Sequence, residues 1–186
     1  TVGSTPLSIE RYQFVPDQLP GVQIEYAIRN TSNQTIQVQF HFEAVSNLMP
    51  VWLGERTGMI NSKDLASYDP LNNRWIVKDS LNPWYVIYGT TVKGDASQMI
   101  YSKKNKPNTT VSNTTYKIAI KPNAVFYLPF TIAGSAISKE QAILHYTQLK
   151  NTAAQLLATK KKRVLSLNNY ARLTVNDQAI ATSVEW

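Results

Sequence analysis

The amino-acid sequence predicts a mainly β protein, a two-layer antiparallel β-sandwich followed by a C-terminal helical linker. Between Leu7 and about Ala133, apolar and polar residues alternate in short runs bounded by Pro, Gly or Asn, which is typical of strands with one buried face. After Gly134 the apolar residues recur at helical spacing instead. We therefore expect residues 1–134 to form the sandwich and residues 135–186 to form the linker.

The two clearest strand patterns lie near the start of the chain. Residues 22–30 (VQIEYAIRN) and 35–45 (TIQVQFHFEAV) place apolar side chains at every second position, and the polar stretch NTSNQ joins them. A short polar turn between two alternating runs is the usual signature of a hairpin. The sequence therefore predicts that these two strands pair with each other, with one face in the core.

Later runs continue the strand pattern. Five segments rich in aromatic and β-branched residues predict strands at 74–78, 84–91, 99–102, 116–121 and 125–132. The segment between Ser102 and Thr115 is polar and without periodicity, so it predicts a long exposed hairpin loop.

A long helix is predicted after the sandwich. Ser138, with Gln141 three residues later, forms a capping box, and an apolar face that includes Tyr146 continues to about Arg163. A second short helix is expected from Asn176 or Asp177 toward Trp186. Its apolar side chains would lie on one side and need cover, so we expect this chain to be the front portion of a longer protein.

Composition excludes several classes of protein. Hydrophobic residues make up 43% and charged residues 17% of the chain, which indicates a folded globular domain. No apolar run approaches the ~20 residues that span a bilayer, and without cysteine neither a disulfide nor a thiolate zinc site can form. The lack of such a run predicts no membrane insertion. Much of the net charge of +7 lies in two lysine-rich runs, 103–106 and 160–163, so we expect no nucleic-acid partner.

Aromatic and acidic residues are concentrated between Leu48 and Tyr88. This stretch holds three of the four tryptophans and four of the twelve carboxylates. A pyranose offers apolar C–H faces that stack on indole and hydroxyls that bond to charged groups, so the mixture is suited to carbohydrate. The same mixture also suits a well-packed sheet.

The order of motifs resembles a known group of enzymes. IEYAIRNTS is followed by PVWLGERTG, DLASYD and KDSLNPWYVIYG, and then by a long helix and NDQAIATSVEW. This order resembles the N-terminal, supersandwich-like β-sandwich of bacterial six-hairpin (α/α)6-barrel glycoside hydrolases, of the glycogen-debranching or amylo-α-1,6-glucosidase-like type. The resemblance covers roughly residues 22–102 and the last forty residues.

The resemblance implies a function for the whole protein rather than for this chain. It implies a non-catalytic domain that supports a barrel lying outside the chain and helps to shape the edge of its sugar pocket. The expected partners are carbohydrate, in the full-length protein, and the barrel itself. No catalytic residue can be carried over, no cofactor is expected, and a periplasmic or secreted location is favoured over a cytoplasmic one.

The candidate site residues lie in the aromatic and acidic stretch. Those proposed to contact substrate or the barrel are Trp52, Glu55, Arg56, Asp64 and Trp84. Glycoside hydrolysis needs two carboxyl groups, and the local candidates are Glu55, Asp64 and Asp79. Asp and Glu in such loops more often cap turns or pair with cations, so we favour structural roles for them. Trp84 and Trp75 lie in strand-like runs and are expected in the core.

Other chemistry and other functions are weighed against this interpretation. His41 and His145 come without a metal-binding motif, so no metal site is expected. An alternative of a different class is a free-standing carbohydrate-binding or adhesion sandwich that uses Trp52, Trp75 or Tyr88 and catalyses nothing. A weaker alternative is a scaffold with protein partners only.

Overall fold

The fold was analysed in a computed structural model, which describes residues 6–52, 54–99, 108–170 and residue 180. The elements follow one another along the chain as nine strands, one 3₁₀ turn and one long helix within these described ranges. The strands are β1 (Leu7–Phe14), β2 (Gly21–Asn30), β3 (Ile36–Ser46), β4 (Asp64–Asp69), β5 (Arg74–Asp79), β6 (Tyr85–Gly89), β7 (Asp95–Met99), β8 (Thr110–Ile120) and β9 (Val125–Ser135). The 3₁₀ turn is Glu55–Thr57, and the helix α1 is Lys139–Tyr170.

The described strands form two antiparallel sheets, which confirms the predicted fold class. The larger sheet has six strands in the order β1-β2-β9-β6-β5-β4, and the smaller has three in the order β3-β8-β7. Four of the five strands predicted from later runs are present, with bounds that differ by up to six residues. Of the fifth, predicted at 99–102, only Met99 lies in the described part, where it ends β7. Two further strands, β1 and β4, are not among the predicted runs.

The predicted hairpin between residues 22–30 and 35–45 is wrong. Both segments are strands, but β2 pairs with β1 and β9, whereas β3 pairs with β8 in the other sheet. Their apolar faces meet across the sandwich instead, where the rings of Tyr26 and Phe40 have centroids 4.9 Å apart. The polar stretch between them is therefore a crossover from one sheet to the other, because facing each other buries both apolar faces more fully than pairing side by side.

Asn30 fixes this crossover. Its side chain is fully buried, and its amide donates to the carbonyls of Gln34 at 2.7 Å, Ile120 at 3.0 Å and Lys121 at 3.1 Å. Its Oδ1 accepts from the backbone N–H of Ser32 at 2.9 Å. One amide thus joins the end of β2 to the crossover and to the end of β8.

An aromatic cluster fills the space between the sheets. Phe130 of β9 is 1% exposed and stacks on Phe42 of β3, with ring centroids 4.1 Å apart. Its ring also meets Tyr26, Phe40 and Tyr116 edge-on or tilted, at 5.7–6.3 Å. Aromatic pairs in these geometries each add about 0.5–1.5 kcal/mol beyond the area they bury. The cluster therefore stabilises the contact between the two sheets.

The predicted exposed loop at 102–115 is wrong in its second half. Strand β8 begins at Thr110, and Thr110, Ser112 and Thr114 are buried. These polar residues face the core because aromatic hydroxyl and indole groups need partners there: Tyr88 bonds to Ser112, and the indole N–H of Trp75 donates to Thr114 at 3.0 Å. Residues 101–107 lie outside the described part.

The helix begins where the capping pattern predicts. The Ser138 hydroxyl accepts from the backbone N–H of Gln141 at 3.1 Å, whereas the Gln141 side chain accepts from the Ser135 hydroxyl at 2.5 Å instead of reaching back to Ser138. Ala142, Tyr146 and Leu149 are buried against the outer face of the larger sheet. A Cβ on Gly21 of β2 would lie 2.5 Å from the carbonyl oxygen of Ile132 and 2.8 Å from Leu149, so the close packing of this strand requires glycine.

Chain contacts define two compact units, Thr1–Asn151 and Thr152–Trp186. The first contains both sheets and the start of α1. In the second, α1 continues to Tyr170, seven residues beyond the predicted end at Arg163, and exposes Lys161, Lys162 and Arg163. The second short helix that was predicted toward Trp186 lies outside the described residues, apart from Ile180.

Asn30→Asp is expected to lower the free energy of unfolding by about 3 kcal/mol or more, because it removes the donor from three carbonyls and buries a carboxylate against them. Asn33→Asp makes the same chemical change at an exposed position of the crossover and should cost less than about 0.5 kcal/mol. Urea denaturation of both variants checks this. Equal losses would contradict the role given to Asn30.

Two buried tyrosines should respond differently to loss of the hydroxyl. The Tyr146 hydroxyl has no hydrogen-bond partner within the described residues, whereas Tyr88 bonds to Ser112. We expect Tyr146→Phe to leave the free energy of unfolding unchanged or up to about 1 kcal/mol higher, and Tyr88→Phe to lower it by about 1–2 kcal/mol. Chemical denaturation measures both, and a loss of that size in Tyr146→Phe would be evidence against this view of the helix-to-sheet contact.

Candidate functional site

A broad apolar groove lies beside the larger sheet and is the candidate site. Its volume is about 770 Å³, and it lies between the segment that follows β3, the start of β6 and the start of α1. Its lining is mainly aliphatic, aromatic and methionine side chains, including Leu48, Met49, Pro50, Val51, Met59, Trp84, Tyr85, Val86 and Ile137. A concave apolar surface of this size is the usual form of a ligand or domain contact.

Three polar side chains converge at the helical side of the groove. Ser135, Gln141 and His145 all line it. The ring nitrogen Nδ1 of His145 lies 2.9 Å from the carbonyl of Gly134, so Nδ1 carries the proton, because the carbonyl can only accept. In the neutral ring, Nε2 is then a hydrogen-bond acceptor. The groove therefore has an apolar body with a few polar groups at one edge.

The predicted site residues are only partly brought together. Trp84 was expected in the core. It is instead half-buried, directly precedes strand β6 and lines the groove. Trp52 is 93% exposed, with a backbone φ of 63°, and Arg56 is exposed as well. Glu55 opens the 3₁₀ turn, and its side chain is outside the described part.

Asp64 lies at the start of β4 and is fully buried. Its Oδ2 accepts from the backbone N–H of Leu48 at 2.8 Å. Leu48 begins the groove wall that continues to Val51. Asp64 therefore contacts no groove ligand itself but holds one wall of the groove in place.

Asp79 is the cross-strand neighbour of Asp64 and is also fully buried. Its carboxylate accepts from the backbone N–H groups of Leu81 and Asn82 at 2.9 and 2.7 Å, and from the hydroxyl of Ser62 at 2.9 Å. Burial alone would raise the pKa of Asp79, but these hydrogen bonds together lower it. Asp79 is thus an ionised turn cap.

The electrostatics of Asp64 are the opposite. Burial raises its pKa from 3.8 to about 6, and the charge of Asp79 adds to the shift, whereas the bond from Leu48 opposes it. A carboxyl group with a raised pKa beside an ionised one is the electrostatic pattern of an acid–base pair. However, both side chains are fully buried, so the pair cannot meet a glycosidic bond.

The residues named for the carbohydrate-binding alternative are mostly inaccessible. Trp75 is 4% exposed and Tyr88 is 3% exposed, and both lie in the core between the sheets. Neither ring can offer a face to a glycan, so these two candidates are wrong. Trp52 alone of the three is at the surface.

Metal ligation and membrane spanning have no candidate in the described part of the chain. Its His, Asp and Glu residues form no group of three or more that could hold a metal ion. Nor does its one long helix contain an apolar stretch long enough to cross a bilayer.

Sequence reasoning did not identify most of the groove. Met49, Val51, Met59 and Ile137 are 47–86% exposed, and the last comes from a different part of the chain from the others. Only the arrangement of the strands brings these segments together. One local feature of the sequence could have indicated the groove. Residues 49–51 (MPV) and 59–60 (MI) are apolar although the surrounding stretch has the composition of a loop.

In sequence comparisons, no family profile and no curated relative matches the chain. In a structural comparison, 84% of the chain superposes on 21% of a protein assigned as a kojibiose phosphorylase from the human microbiome, with 12% identity and a TM-score of 0.53. The chain thus spans about a fifth of that protein's length. At this identity the similarity shows a shared fold.

Two other solved structures are similar over part of their length. One is a protein assigned as an aldose 1-epimerase from Klebsiella pneumoniae, with 10% identity, 80% of this chain and 51% of that chain covered, and a TM-score of 0.48. The other is the Slr1438 protein from Synechocystis sp. PCC 6803, with 13% identity, 71% and 56% covered, and a TM-score of 0.46.

Asp64→Asn tests the electrostatics of the buried pair. Because the folded state binds the Asp64 proton more tightly than the unfolded chain, this group stabilises the fold fully below about pH 4, and the contribution is lost as pH rises through about 6. The asparagine side chain of the variant cannot titrate, but its oxygen still accepts from the N–H of Leu48. The free energy of unfolding of the wild-type chain should fall by roughly 2–3 kcal/mol between pH 4 and pH 7 because of Asp64, and we expect this fall to be absent from the variant.

Urea denaturation at several pH values measures this difference. Asp95→Asn, at an exposed carboxylate, is the matched control and should keep the wild-type pH profile. If Asp64→Asn and wild type show the same dependence on pH, the raised pKa is wrong.

Proposed function

We propose that this chain is the non-catalytic β-sandwich domain of a carbohydrate-active enzyme, in which it supports a catalytic (α/α)6 barrel. The observation that carries the proposal is the shared fold: 84% of this chain matches about a fifth of a longer protein assigned as a kojibiose phosphorylase. In that protein a sandwich of this kind is one part of a longer chain. The proposal extends from fold to function, which is why it needs a direct test.

The burial of Asp64 and Asp79 supports a non-catalytic role for the sandwich. They are the two sequence-predicted candidate acids that the fold brings together, and both are fully buried. A glycosidase needs one carboxyl group to protonate the leaving oxygen and a second one to act on the anomeric carbon or on water. The reacting groups are therefore proposed to lie on the barrel.

The apolar groove is proposed as the surface that receives the barrel. Met49, Val51, Met59 and Ile137 expose apolar side chains around it, and a patch of this kind costs free energy when it faces water. Trp52 and Arg56 stand at the surface in the same loop region, where they can reach past the contact. We place them at the edge of the barrel's sugar pocket.

A second candidate is a carbohydrate-binding or adhesion sandwich with no enzymatic activity. The exposure of Trp52 favours it, because an indole at 93% exposure offers a whole face for stacking on a sugar. It differs from the first candidate in one measurable respect, since the isolated chain would bind oligosaccharide through Trp52.

Val51→Asp and Leu71→Asp form a matched pair for testing the groove. Both side chains are almost fully exposed, at 86% and 92%, but only Val51 lines the groove. In the isolated chain each should change the free energy of unfolding by less than about 0.5 kcal/mol. In the protein that carries both this chain and the barrel, Val51→Asp should lower the thermal midpoint and kcat/KM, because it places a charge in an apolar interface.

Leu71→Asp should leave the two-domain protein unchanged. Equal effects of the two variants there would count against the groove as the contact surface. In the same assay, Trp52→Ala should raise KM with the thermal midpoint unchanged, and a variant that loses stability but keeps KM would remove Trp52 from the pocket edge.

A further inference from the structure

A second, smaller pocket lies on the outer face of the six-stranded sheet, at the end formed by β1, β2 and β9. Its volume is about 190 Å³, and its lining is Ser8, Glu10, Tyr12, Ala27, Arg29, Val125 and Tyr127. The start of α1 covers the other end of the same face, over Gly21 and Ala133. The pocket and the apolar groove share no lining residue.

Strand register arranges this pocket as three parallel rows. The rows are Ser8–Arg29–Val125, Glu10–Ala27–Tyr127 and Tyr12–Glu25–Pro129. Ala27 stands at the centre of the grid, and β1 and β9 flank it at two strand spacings from each other, about 10 Å. The side chains of Tyr12 and Tyr127 therefore project on either side of Ala27, whose methyl group forms the floor of the pocket.

These two rings are exposed, unlike the aromatic residues that pack between the sheets. Tyr12 is 57% exposed and Tyr127 is 56% exposed, whereas Ala27 between them is 9% exposed. The Tyr12 hydroxyl donates to the carboxylate of Glu10, which ties the ring to the neighbouring position on the same strand. Two exposed rings around a shallow floor leave apolar faces available to a flat ligand.

The charges around the floor favour a neutral, hydroxyl-rich ligand. Glu10 and Arg29 line the pocket with opposite signs, and Glu25 stands beside Tyr12 in the third row, so the surroundings of the pocket carry an excess of negative charge that disfavours an anion. A carboxylate accepts from hydroxyl groups and a guanidinium donates to them, and such charge-assisted bonds are stronger than neutral ones. Ser8 adds a further donor and acceptor.

We propose that this pocket binds a neutral saccharide, with one pyranose ring between Tyr12 and Tyr127 and its hydroxyls bonded to Glu10 and Arg29. The inference does not depend on the proposed function, because it concerns binding by the sandwich alone at residues that the groove does not use. It also differs from the second candidate, which places sugar on Trp52.

Titration of the ¹⁵N-labelled chain with maltose, kojibiose and cellobiose, followed by NMR, tests the proposal. At least one of these sugars should shift amide signals of β1, β2 and β9 around Ala27. Tyr12→Ala and Tyr127→Ala should each weaken that binding roughly five- to tenfold, because each removes one stacking face. Tyr127→Phe keeps the ring and should retain most of the affinity. Leu71→Ala, at an exposed side chain that lines neither the groove nor this pocket, should leave the affinity unchanged.

Ala27→Leu provides a variant that leaves both rings intact. Its larger side chain fills the floor from an outward-facing position, so binding should be lost while the thermal midpoint stays near that of wild type. Four results would overturn the proposal. They are no shift with any sugar at millimolar saturation, shifts confined to the Trp52 loop or the groove, binding of glucose 1-phosphate but of no neutral sugar, and shifts that depend on protein concentration alone, which would indicate pairing of two β1 edges.

Discussion

The contact of Phe130 with Phe42 is the interaction on which the rest of this fold depends. It joins the centre of the larger sheet to the smaller one, and three further rings pack around it. Holding the two sheets face to face also sets where β3 ends, and therefore where the segment from Leu48 to Val51 leaves the sandwich. That segment becomes a groove wall because Asp64 of the larger sheet bonds to Leu48. The aromatic cluster around Phe130 and the candidate site therefore depend on the same packing of the two sheets.

The sequence predicted six of the nine described strands, and it predicted the wrong partner for two of them. Alternation is a local property, so it marks residues 22–30 and 36–45 as strands with a buried face whichever partner each takes. It does not distinguish two strands side by side in one sheet from two strands facing each other across a core, and here the second arrangement holds. The polar start of β8 was missed for a related reason, since Ser112 and Thr114 are buried only because Tyr88 and Trp75 lie opposite them.

The candidate site was predicted only in part, because its residues come from separate stretches of the chain. Trp84 was selected for its chemistry and does line the groove, whereas Asp64 was selected for the same reason and is buried. Spacing along the chain does not reveal whether a side chain is buried, and burial is what distinguishes a structural carboxylate from a reactive one. The tyrosine pocket shows the same limit, since Tyr12 and Tyr127 are 115 positions apart and meet only through the strand register.

The buried acids, the open groove and the shared fold are the observations behind our proposal that this sandwich supports chemistry carried out elsewhere. The most direct measurement is an assay of the purified chain for release of glucose, or of glucose 1-phosphate in the presence of phosphate, from kojibiose and maltose. The account predicts no turnover above the uncatalysed rate, because Asp64 and Asp79 cannot reach a glycosidic bond. Turnover by the isolated chain that disappears in Asp64→Asn would contradict it.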